Sequence, residues 1–200
     1  MNDTPQRYKL SFTVGGLFLQ GAPVAAQLYS DLRDWVEVRA ALDADNLLQA
    51  RAKLSAIRVN RELVQRLQEL TDGEIELLAE ATGDERAQLM WAATCRRYQF
   101  IAEFAEEVLR ERFLLLASDV QPDHFDAFVR GKTLWHEELA ELKDSTLQKL
   151  RSTVFLLMRE GALISKEGVI IPAVISGRLR DHFARRTPSD LRLFPTREAI

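Results

Sequence analysis

Ser145, Gln148, Lys149 and Ser152 recur at intervals of three and four residues, so on a helix they share one side, and no carboxylate lies among them. Hydroxyls, an amide and a single ammonium in that arrangement hydrogen-bond to phosphate oxygens and base edges. A helix that enters a nucleic-acid groove presents such residues from its first turns. Lys166 follows in the turn Lys166-Glu167-Gly168, and Arg178 and Arg180 lie beyond Pro172. A second basic surface, Arg51, Arg58 and Arg61, falls in 46–70, where a solvated helix face is the plainer explanation and contact with a nucleic-acid backbone the functional one.

Other chemistry finds little to attach to. His136-Glu137-Glu138-Leu139-Ala140 begins like a zinc-protease helix but has alanine where the second histidine belongs. His124, His136 and His182 are scattered, and the single cysteine, Cys95, has no metal-ligand spacing around it. Gly15-Gly16 lacks the continuation of a phosphate loop, which leaves a turn or close packing as its use. Glu106-Glu107 and Glu137-Glu138 are adjacent on helices and so point in different directions, as on solvated faces. The expectation is a protein without catalytic, metal or cofactor sites.

The elements that must position the polar group are legible around it. Leu147, Leu150, Val154, Leu157 and Met158 share one face of a helix opened by Ser145, and Gly161 ends it. ALIS and VIIP, joined by Lys166-Glu167-Gly168, predict a short β-hairpin. Two short helices, 123–132 and 136–143, precede it. Helix, helix, capped helix, hairpin is the order of a winged helix-turn-helix. The same order also occurs where the segment docks a protein partner or merely packs. Exposure of Phe155 and Leu156 as an apolar patch would favour the protein partner.

Upstream the chain is helical almost throughout. Two short helices flank Asp34 within 22–43, and 46–70 forms a long helix capped by Asn46. Thr71 and Glu74 make a capping box for a helix stopped by Gly83, and 84–117 is a central helix with buried aromatic residues and a buried tail, Phe113 to Ala117. The fold class is therefore mainly α, a multi-helix bundle with a winged-helix-like C-terminal segment. Pattern and charge change at 118–123, which divides an N-terminal bundle, 1–118, from a C-terminal region, 119–200.

Charge divides the chain further on, at the start of the capped helix. The net charge of −3 over 200 residues combines 17 Lys+Arg against 25 Asp+Glu in 1–144 with 10 against 5 in 145–200, so an anionic partner should meet the C-terminal end. Apolar residues make up 46% of the chain, enough for a core, yet no uninterrupted apolar run reaches the roughly 20 residues of a membrane span. The N-terminus lacks the order of a signal peptide, and one cysteine suits a reducing compartment, so a cytoplasmic protein is expected.

Three separated stretches, YKLSFTVGGLF, NLLQARAKLSAIRVNREL with RLQELTDGE, and STLQKLRSTVFLLMREGALI, occur in one order within residues 8 to 183, and in this the chain resembles the BrxA family of bacteriophage exclusion (BREX) defence systems. The resemblance implies a non-enzymatic, mainly helical component that acts beside a methyltransferase, an alkaline-phosphatase-like protein and an ATPase, and binds duplex DNA. It supplies no catalytic motif. It also sets aside an older description of the family as inner-membrane proteins, which the hydropathy opposes. Two other readings remain: an interaction scaffold within the defence complex, and an RNA-binding bundle acting through the basic 51–66 helix.

Overall fold

Asp34 turns the chain between the first two helices, its carboxylate accepting the N–H groups of Val36 at 2.6 Å and Glu37 at 3.3 Å. A computed structural model describes residues 7–44 and 53–198. After an extended N-terminal segment come α1 (Gly21–Leu32), α2 (Trp35–Ala44), α3 (Lys53–Leu67), α4 (Asp72–Glu80) and α5 (Gly83–Arg97). The chain continues through α6 (Gln99–Phe104), a π-helical turn (Ala105–Arg110) and α7 (Glu111–Leu114). The C-terminal part holds α8 (Pro122–Lys132), α9 (Glu137–Ala140), α10 (Asp144–Glu160), α11 (Gly177–Ala184) and a 3₁₀ turn (Asp190–Leu193). One hydrophobic core runs from Tyr8 to Phe194, with Trp91, Tyr98, Phe100 and Phe104 at 0% exposure among its largest members.

The capping signals act largely as expected. Thr71 and Glu74 form a reciprocal box at the start of α4. Gly83, however, does not stop that helix. Ala81 ends it, and Thr82 at once caps α5 through a second box with Glu85, so Gly83 is the first residue of α5. The expected cap Asn46 lies outside the described residues.

The expected single helix over 84–117 is interrupted. Tyr98 leaves helical geometry at φ −122, ψ 93 and breaks the helix between α5 and α6 without any glycine or proline. Its ring is buried and its hydroxyl donates to Glu62 at 2.6 Å, so a tertiary hydrogen bond overrides local propensity. The tail is not buried either: Leu115 and Leu116 are 78% and 76% exposed.

The expected hairpin does not form as paired strands, and no strand occurs among the described residues. One isolated antiparallel bridge joins Ile164 to Ile170, and another joins Asp119 to Val169. Ser165 N–H donates to the Val169 carbonyl at 2.8 Å and Ile171 N–H to that of Leu163 at 2.9 Å. Ala162 at φ 54 on one side and Pro172, which has no N–H, on the other leave too few residues for a ladder. The expected winged-helix segment is therefore not supported, because the sheet that defines it is absent among the described residues. The glycine pair behaves as close packing: a side chain on Gly16 would meet the Glu160 carboxylate, and Gly15 sits at φ 67.

Candidate nucleic-acid interface

The face of α10 formed by Leu150, Val154, Leu157 and Met158 is buried to 1% exposure or less, and this turns the opposite face outward. Ser145, Gln148, Lys149 and Ser152 are all exposed there. The helix does not begin as the sequence predicts. Lys143 holds the cap position without a side-chain cap hydrogen bond, and Ser145 lies inside the first turn. Ser152 donates its hydroxyl to the Gln148 carbonyl at 2.8 Å, so toward a ligand it can only accept. Ser145, Gln148 and Lys149 are the stronger donors.

Lys166 is exposed in the bridged turn beyond α10, and the neighbouring Glu167 carboxylate is engaged by the Ser165 hydroxyl at 2.9 Å. Beside α10, a cleft of about 410 Å³ separates it from α8 and is lined by Phe125, Asp126, Val129, Arg130, Asp144, Leu147, Gln148 and Arg151. Arg151 is bound across that cleft to Asp126 at 2.8 Å. Asp144 in the first turn opposes an approaching anion, whereas Lys143 and Lys149, both exposed, favour one.

Arg178 and Arg180, placed by the sequence on the binding surface, are held in ion pairs instead. Arg178 donates Nε to Glu85 Oε1 at 2.8 Å and a second hydrogen bond to Glu85 Oε2, and Ser176 adds a third donor to the same carboxylate at 2.8 Å. Arg180 grips Glu198 with hydrogen bonds of 2.5 and 2.6 Å. Arg192 is likewise paired with Glu106 at 2.9 Å. The basic C-terminal region is thus stitched partly onto the acidic body. Of the second surface, Arg58 and Arg61 are exposed on α3, and Arg51 lies outside the described residues.

Sequence reasoning missed one arginine of that helix. Arg66 is fully buried, donating to Glu62 at 2.8 Å and to the Gly16 carbonyl at 2.8 Å, with Phe18 beneath its guanidinium at 4.8 Å. The available signal was Glu62 one helical turn earlier, a spacing that pairs readily. Phe155 is buried at 8% exposure and Leu156 is 38% exposed, so no contiguous apolar patch interrupts the polar side of α10.

The Arg178 hydrogen bonds hold the Glu85 carboxyl well below the usual carboxylate range, more than offsetting the opposing effect of burial. A carboxyl depressed by folding contributes stability above its unfolded pKa, and that stability is lost as pH falls through the folded value. Arg178→Gln should therefore lower the thermal midpoint near pH 7, and its difference from wild type should narrow as the solution is taken toward about pH 2. Thermal melts of both proteins across that range check the sign.

Among the described residues no helix is long and apolar enough to cross a membrane, and no group of His, Cys, Asp and Glu is arranged to hold a metal. Residues 6–187 match the family model described as BrxA. A relative from Paramagnetospirillum magneticum, described as BREX protein BrxA, is 22% identical over 159 residues, 80% of each chain. A crystal structure of an uncharacterized protein from Magnetospirillum magneticum superposes with a TM-score of 0.80 at 20% identity, covering 94% of this chain and 96% of that one.

Proposed function

Since this chain belongs to the BrxA family and is thereby a component of a BREX phage-defence system, we propose that it binds duplex DNA through the exposed side of α10. The observation that carries the proposal is the outward-facing, carboxylate-free set Ser145, Gln148, Lys149 and Ser152 on a helix whose other face anchors it in the core. The helix order α8, α9, α10, followed by the bridged turn with Lys166, supports docking of α10 in a groove with Lys166 on the flanking backbone. Binding of this kind rests mainly on phosphates, involves no catalysis or cofactor, and places the protein in the cytoplasm beside its DNA. Arg178 and Arg180 contribute less than their charge implies, because each would have to leave a carboxylate first. A salt titration of duplex DNA against Lys149→Glu tests the reading.

A second reading, docking of another defence component such as the methyltransferase, phosphatase-like protein or ATPase, is favoured by a separate observation. Leu134 and Trp135 are 78% and 72% exposed between α8 and α9, and exposed tryptophan is characteristic of interface anchors. Trp135→Ser should leave the fold within about 0.5 kcal/mol of wild type and DNA affinity unchanged, while reducing co-purification of a tagged partner component. Undiminished recovery of every component would remove that surface from consideration.

A further inference from the structure

We propose that a cavity between the N-terminal segment and the α5–α6 junction binds a phosphate group. The cavity, about 170 Å³, is lined by Arg7, Tyr8, Lys9, Arg96, Arg97 and Gln99, four cationic side chains and no carboxylate. It lies apart from the α10 surface in its lining residues, and the inference does not rest on DNA binding there.

Two local features build it. Tyr8 is an anchor: its N–H donates to Glu138 Oε1 at 2.7 Å, its hydroxyl to Glu103 at 2.5 Å, and its ring stacks on His136 at 3.7 Å. In an extended segment, burying Tyr8 leaves Arg7 and Lys9 exposed on either side of it. The opposite wall comes from the break at Tyr98, which places Arg97 and Gln99 at the same rim.

The donors there are incompletely used. Arg97 donates Nη2 to Gln65 at 2.6 Å and approaches Glu69 at 3.7 Å, but its buried Nε–H has no acceptor. Its Nη1 meets Glu69 only at that 3.7 Å, beyond hydrogen-bonding reach, and is the donor Arg97 keeps for a ligand. Arg7 meets Glu138 and Glu141 only at 3.8 and 3.9 Å, beyond hydrogen-bonding reach, and its side chain is 75% exposed. Lys9 makes no ion pair among the described residues. Arg96 is different: Glu74 and Asp190 hold it at 2.5 and 2.6 Å and the Glu69 carbonyl accepts from it at 3.0 Å, so it forms the wall of the cavity. Three cations with free hydrogen-bonding capacity around a small polar cavity suit a compact tetrahedral anion, and phosphate matches both the charge and the geometry of guanidinium and ammonium donors.

The phosphate group has two sources, free inorganic phosphate or the backbone of a nucleic acid. The test uses the full chain, wild type and the double variant Arg7→Glu/Lys9→Glu, titrated calorimetrically with inorganic phosphate at constant ionic strength and, separately, with duplex DNA. Arg39→Glu/Arg185→Glu, which makes the same charge change at two exposed arginines outside every candidate binding surface, is the control, and circular dichroism establishes that each variant is folded. Saturable phosphate binding weakened about tenfold or more in the double variant and unchanged in the control is the expected result. If DNA affinity stays at the wild-type value, the source is free phosphate. If DNA affinity falls with it and phosphate competes with DNA, the backbone supplies the group. The proposal is overturned if wild type binds no phosphate saturably, or if the control loses as much as the double variant.

Discussion

Lys149→Glu is expected to weaken duplex DNA binding by about tenfold or more at moderate salt, and to reduce the salt dependence of log K by roughly one phosphate contact. Lys149 is exposed on the polar side of α10, and its nearest companions there, Ser145, Gln148 and Ser152, are uncharged. Reversal therefore replaces the cation in the first two turns of that side with an anion at the point of closest approach. Adding Lys166→Glu should deepen the loss, because the turn that carries it follows directly on α10. Arg180→Gln makes the informative comparison: with its guanidinium already bound to Glu198 at 2.5 and 2.6 Å, removal should change DNA affinity far less than Lys149→Glu. Fluorescence anisotropy across a salt series measures all three. Equal losses from Arg180→Gln and Lys149→Glu would shift the interface away from α10 to the terminal arginines.

The largest effect on stability is expected at Arg66. Arg66→Met should destabilise the fold by about 3–5 kcal/mol, because Glu62 would remain buried with its charge no longer compensated. The Tyr98 hydroxyl at 2.6 Å would be its principal remaining partner, and the carbonyl of Gly16 would lose its donor at 2.8 Å. For a chain of this size such a loss lowers the thermal midpoint by on the order of 10 °C. Breaking one partner is costly in a way that removing both is not, so Arg66→Met combined with Glu62→Leu should recover much of the loss. Chemical denaturation of the two single variants and the double one closes that cycle. Additive losses would mean that the pair is not coupled, and that Arg66 acts through its carbonyl contacts and its packing on Phe18 alone.

Arg66 also marks where reading the chain residue by residue stops. Along the chain it belongs to a basic run with Arg58 and Arg61, both of which are exposed. Its burial is decided by Gly15 and Gly16, fifty residues away, whose turn delivers a carbonyl to the guanidinium. The same holds for Tyr98. Nothing local breaks a helix at that residue, and only the buried carboxylate of Glu62 gives its hydroxyl a reason to leave helical register. Leu115 and Leu116 show the opposite error: an apolar run implies burial, yet the chain ends α7 before reaching anything that covers them.

By itself the sequence determined what depends on neighbours along the chain. The helices flanking Asp34, the Thr71–Glu74 box, the inward face of α10 and the outward polar group Ser145, Gln148, Lys149 and Ser152 all follow from spacings of three and four residues. The family resemblance was legible for the same reason, since it rests on ordered stretches of residues. Tertiary structure alone decided the fate of the charges. The acidic front and basic tail looked like a surface seeking an anion, but Asp126, Glu85 and Glu106 of the front engage Arg151, Arg178 and Arg192 of the tail, which leaves Lys149 and Lys166 among the exposed cations. Charge is additive along a sequence, whereas its availability depends on which opposite charge the fold places within 4 Å, and that is settled only when distant segments meet.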